Sequence, residues 1–338
     1  MVKFGIYLPT FSREITSRKL YEFNLEVARE AERNGLDWLW SVDHLHAFDA
    51  IEQVGRSLDI LESTTLISAL AAVTNLGVGF CVLCLPFRNP ALTAKIAASI
   101  DLISNGKFIL GVGAGWRKEE FLGYGYGWSK FGERLEKTKE SIEIIKLMWR
   151  ESIVSYNGKY FNLQGGELWP KPLQKPHPPI WFGGVGPKAL TLMKYVDGWL
   201  APPLHPEDFS ERLDYITELR GGEKPQLGYE FYTAIDENME KAIEKSKPSL
   251  ERWFGRSIES IMTFETGVKL PGGIRVRYGA TVGDPEKCIE RLSDFIKRGV
   301  EHFILHFMPL EDTINGIKFY GKYVIPYIRD EFRDLHEE

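Results

Sequence analysis

Cysteine is scarce: Cys81, Cys84 and Cys288 are three in 338 residues, too few to staple a chain of this length. That scarcity fits a reducing compartment, and the cytoplasm is the expected location. Also missing is any apolar run near the roughly 20 residues that cross a bilayer. The opening MVKFGIYLPT has no basic-then-apolar leader pattern, so no membrane partner is expected. Basic charge is not in excess either. Lys and Arg number 42 against 47 Asp and Glu, interspersed along the chain, giving a net charge of −5, so nucleic acid is excluded as a natural partner and a small molecule is expected. No G-x-S-x-G elbow, Walker loop or H-E-x-x-H occurs, which leaves serine hydrolase, nucleotide triphosphatase and zincin chemistry without support.

What is present is a regular alternation of short apolar strands and amphipathic helices. Strands are expected at Val2–Leu8, Trp38–Ser41, Leu76–Leu85, Lys107–Val112, Ile180–Phe182, Gly198–Ala201, Leu227–Ile235 and His302–Phe307. Helices fall between them at Ser17–Asn34, Thr64–Val73, Pro90–Ile103, Gly132–Trp149, Pro187–Tyr195, Pro206–Leu219 and Asp284–Lys297, and Thr313–Leu335 closes the series. In Pro90–Ile103, Leu92, Ile96, Ile100 and Ile103 share one face. Strands apolar on both sides belong to a parallel sheet covered by helices, and eight of them favour an α/β fold of the (β/α)₈ barrel type, with a doubly wound sheet as the alternative. One domain spans residues 1–338, with insertions at about 151–178, where Asn157-Gly158 marks a hairpin and a proline-rich loop follows, and at about 247–283.

In a barrel, reactive groups sit on the loops that follow the strands. Gly183-Gly184-Val185-Gly186 lies between a strand and a helix opened by Pro187, so its backbone N–H groups can converge on a phosphate; a tight turn is the plainer reading. GVGAGW, residues 111–116, departs from a dinucleotide fingerprint at Trp116. There Gly113 would let a flat ring approach the backbone and Trp116 would form a pocket wall. His44 follows strand two as a proton donor or acceptor, with Asp43 placed to orient it. A competing metal-hydrolase reading uses the His44-x-His46 pair with His205 and His306, but strand five offers no ligand at Trp181-Phe182, so no metal is assigned. Cys81 and Cys84 point to opposite sides of a strand and read as core residues. Lys269, Arg275 and Arg277 could form a basic lid over an anionic ligand, closing across Gly267–Gly279, or a merely solvated loop.

Together the segments FGIYLPT, AERNGLDWLWSVDHLH, LGVGFCVLCLPFRNPALTAKIAASIDLISNGKFILGVGAGWRKEEF, PKPLQKPHPPIWFGG and TVGDPEKCIERLSDFIKRGVEHFILHF resemble, over nearly the whole chain, the luciferase-like family of flavin- and deazaflavin-dependent oxidoreductases. The resemblance implies a barrel holding the ring of FMN or coenzyme F420 at the carboxyl face, backed by a bulge in strand three near Gly79, Phe80 and Cys81. It further implies the cofactor phosphate at Gly183–Gly186, His44 as the proton-handling residue, and a homodimer packed through early helices. Sugar-phosphate dehydrogenases of that family have a glutamate in the strand-four motif where this chain has Ala114, so that substrate is disfavoured. The expected activity is hydride transfer between a deazaflavin and a small organic substrate. A reduced-FMN monooxygenase of the alkanal or alkanesulfonate type is the alternative, and a non-enzymatic flavin carrier a further one.

Overall fold

The computed structural model describes residues 1–12, 15–46, 58–269 and 275–333. Eight parallel strands close on themselves: Lys3–Tyr7, Trp38–Ser41, Gly77–Phe80, Phe108–Gly113, Ile180–Phe182, Gly198–Ala201, Gln226–Ile235 and His302–Phe307. Strand eight pairs with strand one through Lys3 and His302, and strand five with strand four through Ile180 and Leu110, which completes the ring. The molecule is therefore a (β/α)₈ barrel. Outward side chains such as Val78, Phe80, Phe108 and Phe303 pack against the helices in one continuous core. Long-range closure is compatible with short strands because each is buried on both faces.

The barrel interior is filled by large rings set against glycines. Trp38, Trp40 and Trp181 form a chain with centroids 5.8 and 5.9 Å apart, and His302 meets Trp181 edge-on at 4.9 Å. The facing positions must be small. A Cβ on Gly79 would come within 2.6 Å of Trp40, and one on Gly198 within 2.5 Å of Trp181. This plug stops below the carboxyl ends of the strands, so everything above it is available for a site.

Strand three carries the bulge that the family resemblance implied, although its apolar run reads as one strand, and one helix differs from expectation. Strand three is not continuous over 76–85: it breaks after Phe80, passes a cis Cys81–Val82 peptide and resumes at Leu83–Cys84. Gly79 pairs with Ile109 but Leu83 with Val112, so four residues oppose three, the count of a β-bulge. The helix Pro90–Ile103 buries Ala94, Ala97, Ala98 and Ile100, while Leu92 is 59% and Ile103 46% exposed. The small residues let the helix lie close to its neighbours, and Leu92 and Ile103 face outward while Ile100 stays in the core. The excursions are hairpins, Val154–Asn157 with Asn162–Gly166, and Thr266–Lys269 with Arg275–Tyr278; the tip of the second lies outside the described residues.

Candidate active site

A cavity of about 600 Å³ opens at the carboxyl ends of the strands, a size within the usual range for small-molecule sites. Its walls are mainly apolar and aromatic. The floor is made where strands three and seven, opposite one another in the ring, meet across the axis: Cys81 Sγ lies 3.5 Å from Glu230 Oε1. Glu230 is partly buried and faces the cavity, and loss of water pushes its carboxyl up to about 7, against a small opposing pull from the Cys81 thiol. Beside it stand Tyr7, Tyr232 and Trp253. His306 is clamped between the rings of Tyr7 and Tyr232, each 4.1 Å away, and neither of its nitrogens has a hydrogen-bond partner among the described residues. Burial pushes that imidazole down to about 3, so it is neutral.

His44 lies on the opposite wall. Its partner is Glu120 and not Asp43: Nδ1 is 3.0 Å from Glu120 Oε1, and the same carboxylate accepts the Leu45 N–H at 2.9 Å. Glu120 reaches this point from a short helix, Lys118–Gly123, just beyond strand four. Burial alone would raise its carboxyl, but the His44 hydrogen bond and charge, the Leu45 N–H and the Arg117 charge outweigh that and hold it below the usual range. An ionised carboxylate only accepts, so the imidazole carries a proton on Nδ1 and its Nε2 is left for another group. Asp43 is turned away, bound to Arg88 at 2.9 Å and to the Cys84 N–H at 2.8 Å. Trp116, 68% exposed, stands edge-on to His44 at the rim, 6.0 Å between ring centroids.

The glycine loop lines a third side. Gly183 gives its N–H to the Val112 carbonyl and so continues the barrel ladder. Gly184, Val185 and Gly186 have N–H groups that no hydrogen bond takes up among the described residues. The helix after them is shorter than expected, α-helical only over Pro187–Leu190 before a 3₁₀ turn, Thr191–Tyr195. Gly186 itself has φ −72°, a conformation open to any residue, and a Cβ there would meet nothing within 4 Å. The protein does not need glycine at that position for its own packing, and the space beside it is free for a ligand.

Other expected site residues sit off the cavity. Gly79 makes room for Trp40, Phe80 packs outward on Phe108, and Gly113 lies under Val82, which does line the wall. Cys81 and Cys84 are buried, as core residues are, but both also border the cavity. Lys269 and Arg275 belong to the second hairpin and do not border it. Arg277 is tied down: its guanidinium bonds Asp208 at 2.7 Å and Glu207 at 2.9 Å, so it is not free to clamp a ligand. The histidines of the metal reading are scattered. His46 stacks on Tyr124, His205 caps the helix Pro206–Leu219, His306 is clamped by tyrosines, and no metal-like cluster forms among the described residues. Glu120 and Glu230 were not expected from the sequence.

A sequence model described as luciferase-like monooxygenase matches residues 2–302. The FMNH₂-dependent dimethylsulfone monooxygenase of Pseudomonas putida is 26% identical to this chain, covering 97% of it and 96% of that protein. The 5,10-methylenetetrahydromethanopterin reductase of Archaeoglobus fulgidus is also 26% identical, covering 97% and 100%. Among solved structures, an F420-dependent secondary alcohol dehydrogenase in complex with an F420-acetone adduct superposes with a TM-score of 0.76 at 22% identity, covering 97% of this chain and 99% of that one. The last likeness shows the shared fold.

Proposed function

The chain belongs to the luciferase-like monooxygenase family, and from that membership we propose that it is an F420-dependent oxidoreductase acting on a small organic substrate. The observation that carries the reading is the His44–Glu120 pair at the cavity wall opposite a glycine loop with unused N–H groups. A 600 Å³ apolar cavity with backbone donors at one edge fits a flat ring with a phosphate tail. Gly184, Val185 and Gly186 would hold the phosphate, and Cys81 and Val82 at the bulge would support the ring. When bound, a deazaflavin supplies a hydride acceptor or donor that works two electrons at a time. His44 Nε2 takes the proton that an alcohol-type substrate loses on oxidation, or returns it on reduction, and Glu120 stabilises the imidazolium so formed. Trp116 at the rim and the aromatic walls keep water from that exchange.

Fluorescence titration of the purified protein with F420 and with FMN, each oxidised and reduced, tests the assignment. Selective binding of F420 is the expected result. Selective binding of reduced FMN would instead establish an oxygen-using monooxygenase, the reading favoured by the dimethylsulfone monooxygenase relative. Gly186→Glu should weaken cofactor binding by about tenfold or more, roughly 1.4 kcal/mol, by placing an acid where the phosphate lies. Because a Cβ at this position meets nothing within 4 Å, the melting temperature should stay put; a large drop would make Gly186 a packing residue.

We further infer a cytoplasmic homodimer. Leu92 and Ile103 present apolar side chains on the outer face of Pro90–Ile103, an arrangement that a self-complementary interface would cover. Sedimentation of wild type should give twice the monomer mass, and Leu92→Glu with Ile103→Glu should give the monomer. A dimeric double variant would place the interface elsewhere.

A further inference from the structure

Three carboxylates border the cavity described above, and two of them are accounted for. Asp43 is bound to Arg88 and Glu120 to His44. Glu230 is bound only to the Cys81 thiol, and no ion pair reaches it among the described residues. Arg117, the permanent cation that lines the cavity among the described residues, belongs to the Glu120 wall, as does His44. The floor therefore carries an acid with no counter-charge, on the axis of the barrel. Around it stand aromatic rings: Tyr7 and Tyr232, each with one face taken by His306, and Trp253, with Phe11 stacked on Trp253 at 6.3 Å. A buried ionised group needs a partner, and a ring-lined pocket ending in a carboxylate supplies both halves of ammonium recognition.

We propose that the cavity floor is a subsite for a cationic nitrogen of the substrate, with Glu230 as its counter-ion and Tyr7, Tyr232 and Trp253 as its walls. The proposal rests on the oxidoreductase reading only in taking this cavity to be where substrate enters. It narrows the substrate class to apolar or aromatic amines. Substrates ending in sulfonate, phosphate or carboxylate are excluded, because such a head would meet an uncompensated acid and no basic side chain on the floor among the described residues. The titratable groups around Glu230 are Cys81, Tyr7, Tyr229, Tyr232 and Tyr278, all neutral when protonated, with His306 beyond Tyr7 and Tyr232 held neutral by burial, so none of them supplies a counter-charge. With the Glu230 carboxyl pushed up to about 7, an amine must wait for that carboxyl to ionise, and its affinity should climb as pH rises through neutrality.

Calorimetric titration of the protein with benzylamine, benzyl alcohol and benzoate at pH 6 and pH 8 tests this. At pH 8 benzylamine should bind about tenfold or more tighter than benzoate. Its affinity should gain about tenfold between the two pH values, the change in ionised fraction of a group titrating near 7, while benzyl alcohol stays constant. Glu230→Gln should bring benzylamine down to the level of benzyl alcohol. Benzoate binding as tightly as benzylamine, or a benzylamine preference that survives Glu230→Gln, would overturn the proposal. Should that variant not fold, the pH dependence of wild type decides, since a flat benzylamine profile also overturns it. Cofactor titration of the same wild-type preparation separates the two readings. Failure to bind F420 or FMN sinks the cofactor assignment and leaves the amine preference standing, whereas normal cofactor binding with no amine preference sinks only the floor subsite.

Discussion

Replacing His44 by alanine lowers turnover by roughly 10²–10⁴-fold, the usual contribution of a positioned acid or base, while cofactor affinity changes little. The expectation follows from geometry: with Nδ1 committed to Glu120 at 3.0 Å, Nε2 is the atom left to exchange a proton with a substrate. Glu120→Gln should cost less, since an amide can still accept a hydrogen bond, but it removes the negative charge beside the ring. The imidazolium formed during turnover then loses the charge that faces it, so turnover should fall while the melting temperature holds. A purely structural Glu120 would change expression or melting and leave the turnover of the folded protein in place. Unaltered turnover in His44→Ala would remove the residue from the chemistry altogether.

The second large effect concerns stability. Glu230 begins from an ordinary value of 4.5 and stands at about 7 in the fold, so the unfolded chain releases its proton first as pH rises. Folding is then progressively disfavoured between pH 4.5 and 7 and level above that, with a total loss on the order of 3 kcal/mol from the shift at about 1.4 kcal/mol per unit. For a chain of 338 residues that corresponds to a fall of about 4 °C in melting temperature. Glu230→Gln has no charge to bury and should melt above wild type at pH 8 and level with it near pH 4.5. Thermal melts of ligand-free protein across that range check the sign. A variant less stable than wild type at pH 8 would mean that the carboxylate has a partner in the fold.

Much of the barrel could be read directly from the chain, and the reasons are local. Trp38–Ser41, Pro90–Ile103, Pro206–Leu219 and His302–Phe307 fall on the expected residues. Where a boundary was exact, the chain marks it chemically: Asn89 accepts the N–H groups of Ala91 and Leu92, and Pro90 and Pro206 occupy first helical positions where no N–H is needed. Nothing in GVGFCVLCL breaks the apolar run of strand three, so its bulge was legible only through the family resemblance and not from the pattern; in the fold it is set by pairing with strand four. His44 and the glycine loop could be found because barrel sites follow strand ends. Glu120 could not be paired with His44 because the two are 76 positions apart and meet only because strands two and four flank strand three in the sheet. Glu230 did leave a trace, a single acid inside QLGYEFYTAI, a strand otherwise almost wholly buried. An acid in a central parallel strand contradicts the apolar pattern, and such contradictions are where function is to be sought.

The tryptophan plug has a kinetic consequence. With Trp38, Trp40 and Trp181 stacked against glycines across the barrel axis, the cavity has its doorway at the carboxyl face and a blind end at Glu230. Molecules that share it must queue: what seats deepest enters first and departs last. A substrate seated on the floor, as proposed above, is locked behind the cofactor, and the order of arrival and release is written into the depth of the barrel.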